Sequence, residues 1–144
     1  MVPFLIAASL TIEFIGPCHD RPLLRAKVET EQTSSVGKVT IETLEKFKIN
    51  YKGSEAGINS AFGSPIGIDA MEVISDSEMR SYGWCFEVDG KVPEHYPDSI
   101  SVSSAKKVKW FYGFAHYLIG NWISQCEPAH KLKPDFLCRP NQSI

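Results

Sequence analysis

The sequence predicts an α+β fold, a mixed sheet with one helix packed across it. Three observations carry that prediction. Residues 82–90 read YGWCFEVDG, with Trp84, Phe86 and Val88 on one side and Cys85, Glu87 and Asp89 on the other. Downstream, Val108, Trp110, Tyr112 and Phe114 share one face of a second alternating stretch. Period-two alternation over this length is the mark of half-buried strands. Between residues 36 and 48 the spacing changes: Val36, Val39, Leu44 and Phe47 fall on one helical stripe, with Thr40 and Thr43 beside it.

Each further element follows from local chemistry. Residues 10–15 alternate, are rich in β-branched side chains and are stopped by Gly16-Pro17, so a first strand is predicted there. Residues 24–31 put Leu24, Ala26 and Val28 opposite charges, a second strand with one face in water. Thr33-Ser34-Ser35 offers helix-capping hydroxyls, and Gly37 predicts a frayed first turn. Residues 57–67 are glycine-rich but lack the lysine and hydroxyl pair that ends a phosphate loop, and read as a plain connection. Residues 68–75 predict a short strand or turn, 77–81 one helical turn and 100–102 a short edge strand. The Asp89-Gly90 pair predicts a turn. The strand from Val108 is read as far as Leu118, with a turn at 119–121 and a return at 122–126. The tail from Glu127 carries Pro128, Pro134 and Pro140 and predicts an ordered coil pinned by cysteine.

The chain has 144 residues and a net charge of −2, enough for one core and with no basic run to favour nucleic acid. Residues 1–9 (MVPFLIAAS) read either as a truncated signal peptide or as an early strand; they are too few for a transmembrane segment. The domain division is therefore 1–9, a main domain over 10–126 and a tail over 127–144. Cys18, Cys85, Cys126 and Cys138 lack the close pairing of a zinc site. Two disulfides in an oxidising compartment are expected instead, periplasmic or secreted. All three pairings remain open, Cys126–Cys138 and Cys18–Cys138 among them.

The order strand–strand–helix–loop–strands is that of a β-grasp. Gly83-Trp84-Cys85-Phe86-Glu87-Val88-Asp89-Gly90, closed by Val108-Lys109-Trp110-Phe111-Tyr112, resembles the transcobalamin-like C-terminal domain family, much of it bacterial and of unknown function. Residues 57–63 and 68–71 look like that family's middle segment, a glycine-bearing loop leading to a strand ahead of the Gly-Trp hairpin. The resemblance covers roughly residues 10–112. In the cobalamin carriers this small domain covers one face of the corrin and a large helical domain the other. This chain lacks room for the helical domain, so tight cobalamin binding by it alone is not expected. The extension from Phe114 departs from the family.

No catalytic, metal or cofactor site is predicted. A Cys–His nucleophile needs a free thiol beside His19 or His116, and paired cysteines supply none. His116 reads as a base or ligand in an aromatic pocket, or as a histidine at the sheet margin bonded to backbone or water. Asp69, Glu72 and Asp76 lack the ligand alternation of a calcium loop. The aromatics are the candidate ligand-binding set: Trp84, Phe86, Trp110, Tyr112, Phe114, Trp122 and, with them, His116. Phe111 and Tyr117 are expected on the opposite face, packed under the tail or exposed for recognition. Two functions follow: a non-catalytic binding module for a protein, glycan or apolar small molecule, or a structural domain of a cell-envelope assembly.

Overall fold

The computed structural model describes residues 7–139. Strand β1 (Ala7–Ile15) pairs antiparallel with β2 (Pro22–Glu31), and helix α1 (Val36–Lys46) follows. A separate hairpin comprises β3 (Tyr51–Ser54) and β4 (Gly57–Ala61). The chain returns to the main sheet through β5 (Met71–Ser75), β6 (Glu78–Val88), β7 (Lys107–Leu118) and β8 (Asn121–Pro128). The main sheet runs β2-β1-β7-β6-β5, with β1 and β7 parallel. β6 lines one side of β7 along its length; β1 and β8 share the other, at Lys107–Phe111 and Gly113–Leu118. The fold is a mixed α+β arrangement with one helix against the sheet.

Alternation explains the layering. Ile12, Phe14, Trp110 and Val108 point to the face covered by α1, where they join Val36, Val39 and Leu44 in the main core. An eleven-residue helix is marginal alone, so its stability comes from this packing. Ser35 caps it, its hydroxyl accepting from the Lys38 N–H at 3.0 Å. The Trp110 indole N–H donates to Thr40 Oγ1 at 2.9 Å, and Thr40 donates to the Val36 carbonyl at 2.8 Å. Both side chains are fully buried, so sheet and helix are joined by a polar contact that water cannot replace.

Several expectations change. Thr40 and Thr43 lie inside the core, while Phe47 caps the helix and is exposed. Gly37 does not fray: a Cβ there would overlap the Glu55 carbonyl, so glycine is what lets the β3–β4 turn dock on the helix. Residues 57–61 are a strand, because Ile58 and Ala61 bury themselves in the main core. Residues 78–81 extend β6 rather than forming a helical turn, since Met79 and Arg80 pair with Val73 and Glu72. Residues 100–102 make one bridge, Ser35 to Ser101, after a 3-10 turn at Pro97–Ser99. Of the nine residues read as a leader or early strand, Ala7 to Ser9 belong to β1; 1–6 lie outside the described residues, as does Pro140 of the tail.

The pairing is Cys18–Cys138 and Cys85–Cys126, with Cα–Cα distances of 5.3 and 5.8 Å. The first ties the tail to the turn after β1. The second crosses β7 over Gly113, where a Cβ would come within 3.2 Å of Cys85 Sγ and 3.0 Å of the Glu127 carbonyl.

Thr40→Val leaves the Trp110 indole unpartnered and is expected to cost about 1–3 kcal/mol in denaturant unfolding, whereas Thr40→Ser costs far less. In a Trp110→Phe background, which removes the donor, the Thr40→Val penalty shrinks. Equal stability of the valine and serine variants would contradict the assignment.

Candidate functional site

The hairpin β6–turn–loop builds a cleft. Asp89 and Gly90 turn the chain at φ 49° and 85°, the positive-φ pair of a two-residue hairpin turn. The turn does not lead into β7. Lys91 pairs back on Val88, and residues 91–106 form an excursion before β7 begins. Asp89 pins its return: its carboxylate accepts from the Lys106 N–H at 3.0 Å and the Lys107 N–H at 2.8 Å. The excursion forms one wall, with Val92, Pro93, Tyr96 and Pro97; the end of the β3–β4 turn and the start of β4, Ala56 to Asn59, form the other. Trp84, Phe86 and Trp110 line the base. The space is about 240 Å³.

The rings are fixed from beneath. Phe86 stacks on Trp110 with centroids 5.0 Å apart, and Trp110 stacks on Phe14. Trp84 meets Phe62 at 6.0 Å and donates its indole N–H to Ser64 Oγ at 3.0 Å. Both Trp84 and Phe86 are half-buried, while Tyr96 at the rim is 75% exposed. Among the described residues no carboxylate, imidazole or free thiol lines the cleft. It offers aromatic and aliphatic surface, the Cys85–Cys126 disulfide and one side-chain amide, Asn59, which suits binding by contact area.

The seven aromatic and histidine candidates divide among three places. Trp84, Phe86 and Trp110 meet at the cleft, although Trp110 is only 2% exposed and acts as its floor. Tyr112 and Phe114 are buried in a second cluster with Tyr82, Ala129 and Leu137, under the tail. His116 lies farther along β7, outside the cleft, its Nε2 2.7 Å from Glu78 Oε2, so its partner is a carboxylate rather than backbone or water. Trp122 is on β8, 49% exposed, edge-on to Tyr117 at 5.3 Å. Phe111, expected on the outer face, is buried there, its strand position paired with Cys85. All four cysteines are bonded, so a Cys–His pair has no thiol. Among the described residues no cluster of three or more metal-ligating side chains forms, and no helix is long and apolar enough to cross a membrane.

Sequence reasoning missed both walls. The Ser-Glu-Ala-Gly turn between Lys52 and Ile58 was a legible hairpin signal, and Pro93 and Pro97 marked a structured excursion. What no local pattern shows is that the two come together over Phe86.

The second cluster is electrostatically distinct. Glu72 Oε1 accepts from Arg80 at 2.8 Å and from the Tyr82 hydroxyl at 3.1 Å. Burial, with the Glu72 charge beside it, pushes the Tyr82 phenol up to about 12. Burial raises the Tyr112 phenol too, and its hydroxyl has no hydrogen-bond partner among the described residues.

No protein-family model and no curated protein matches the chain.

The two tyrosines therefore respond oppositely. Tyr112→Phe removes an unpaired buried hydroxyl and is expected to leave stability unchanged or raise it, while Tyr82→Phe costs about 1 kcal/mol. The unfolded phenol ionises near 10. The stability that a neutral Tyr82 confers is thus full below that pH and lost as pH rises to about 12. Denaturation between those pH values should show a shallower alkaline loss in Tyr82→Phe; an unchanged slope would contradict the placement.

Proposed function

We propose that this chain is a secreted or periplasmic, non-catalytic binding module whose ligand occupies the cleft above Trp84, Phe86 and Trp110. The observation that carries the reading is the convergence of two half-buried aromatic rings, rigidly backed by a third, beneath a space walled by the β3–β4 hairpin and the excursion after β6. Pre-set aromatic surface gives binding area with little entropy to lose. Two disulfides support an oxidising compartment.

A β-grasp description is supported by the β1–β2 hairpin, the helix that follows it and the late strand β7 running parallel to β1 in the sheet centre. The same order supports the resemblance to the transcobalamin-like C-terminal domains. A corrin is not the proposed ligand, because about 240 Å³ lies below the usual range of small-molecule sites.

A second reading, an accessory domain of an envelope assembly, is favoured by the β7–β8 tip. Ile119 sits there at φ 50° and is 73% exposed, next to exposed Trp122 and Ile123. A β-branched residue in that conformation costs about 1–3 kcal/mol, which asparagine or glycine would avoid. The strain displays an apolar side chain to solvent, a feature suited to contact with another surface.

Mass spectrometry of protein taken from its host's envelope or medium tests the choice. The denatured, unreduced mass is expected to fall two hydrogens short per disulfide, and the native mass to exceed it by a discrete ligand that Phe86→Ala loses. Native protein multiples alone would favour the accessory reading. Four free thiols would overturn the compartment.

A further inference from the structure

We infer that the ligand of this cleft is an extended polypeptide segment, which adds a strand to the open edge of β6; the inference rests on the cleft being the binding site. The direction of the backbone groups is the basis. The Val88 N–H donates to the Lys91 carbonyl at 2.8 Å and the Lys91 N–H to the Val88 carbonyl at 3.1 Å. The Asp89 N–H goes the other way, to the Lys107 carbonyl at 2.9 Å. In an antiparallel ladder this parity repeats every second residue. Even-numbered residues of β6 therefore turn their N–H and C=O away from β7.

β5 takes up those groups only at the start of β6, pairing from Met71↔Ser81 to Ser75↔Glu78. At the other end Lys91 begins a partner strand, and the residue that would next face Phe86 is Pro93. Proline has no N–H to give, so the pairing stops there. Between these limits no strand among the described residues pairs with the β5-side edge of β6, and the backbone groups of Trp84 and Phe86 are directed into it. β4 runs nearby in its own two-stranded sheet, without a bridge to β6.

This edge is the one that the cleft adjoins. An extended chain laid along it would meet two N–H donors and two carbonyl acceptors at strand spacing, and every second side chain would reach the rings of Trp84 and Phe86. A small apolar molecule would leave the four polar groups unmet, and that difference selects a polypeptide. The outer edge of β2, by contrast, carries Pro22, Arg25, Lys27 and Glu29, the residues that blunt an edge.

The test uses the intact, disulfide-bonded protein panned against a displayed library of random peptides of about ten residues, one strand's length. The tightest peptide is synthesised with two counterparts, each N-methylated at alternate residues in one of the two registers. The expected result is about tenfold slower solvent exchange at the Trp84 and Phe86 amides on binding, with about tenfold weaker affinity for one methylated register and no change for the other. Equal binding of both registers, or unaltered exchange at those amides, overturns strand addition. If that peptide still requires Phe86, strand addition fails and the cleft reading stands; if no peptide binds while host-derived protein carries a small molecule lost in Phe86→Ala, the polypeptide assignment fails and the cleft reading stands. A peptide bound equally by Phe86→Ala sinks the cleft reading itself. Slower exchange of the same amides with rising protein concentration alone assigns the edge to a second copy and overturns the inference.

Discussion

Trp110 is the side chain on which the layers depend. It stands on the central strand, stacks between Phe14 of β1 and Phe86 of β6, and reaches Thr40 of α1 through its indole N–H. Its burial removes on the order of 200 Å² of surface from water, about 5 kcal/mol before entropy is counted. The hydrogen bond adds direction to that gain. Only one register of helix against sheet lets a buried N–H meet a buried hydroxyl, so the contact selects among packings that apolar area alone would tolerate. The same ring underlies Phe86, so the helix anchor and the binding floor are two sides of one residue.

The cleft exists because two connections are held away from the sheet. The β3–β4 turn docks on α1 through the Gly37 contact and cannot lie flat on β6. The excursion after Val88 is pinned at its return by Asp89 and prevented by Pro93 from zipping further along β6. Two disulfides close the structure, one of them lining the cleft. The Cys85–Cys126 bridge ties β6 to β8 across Gly113, and Cys18–Cys138 ties the tail to the first turn. In the chain-entropy model, loops of these lengths are worth about 4 and 5 kcal/mol. That leaves β6 stapled through Cys85 between the two residues whose edge is free, an arrangement suited to holding a ligand without refolding around it.

Strands β1 and β2, β6 from Tyr82 onward, β7 and the helix were legible because each has a clear period, even though β7 buries both faces from Trp110 to Phe114. The disulfides were legible as a pair of bonds but not as a connectivity, which depends on where β8 lies across β7. The aromatic set was harder. Trp84, Phe86, Trp110, Tyr112 and Phe114 share one parity and read as one face, yet that face is divided among α1, the β3–β4 hairpin and the tail. Alternation says which side a ring points to and nothing of what covers it. The open edge was illegible for a related reason: it follows from where β5 ends and from a missing N–H at Pro93, and both have meaning only once Lys91 is seen to turn back on Val88.

Residue-resolved amide hydrogen exchange on the free protein tests this account most directly. Cys85 and Glu87 turn toward β7 and should exchange slowly, with the protection of a central ladder. Trp84 and Phe86, one residue away on the same strand, should exchange much faster, because their N–H groups face the open edge. An alternating pattern along β6 is the predicted result. Protection at Trp84 and Phe86 equal to that of their neighbours would mean that the edge is already occupied within the fold, and would contradict the account.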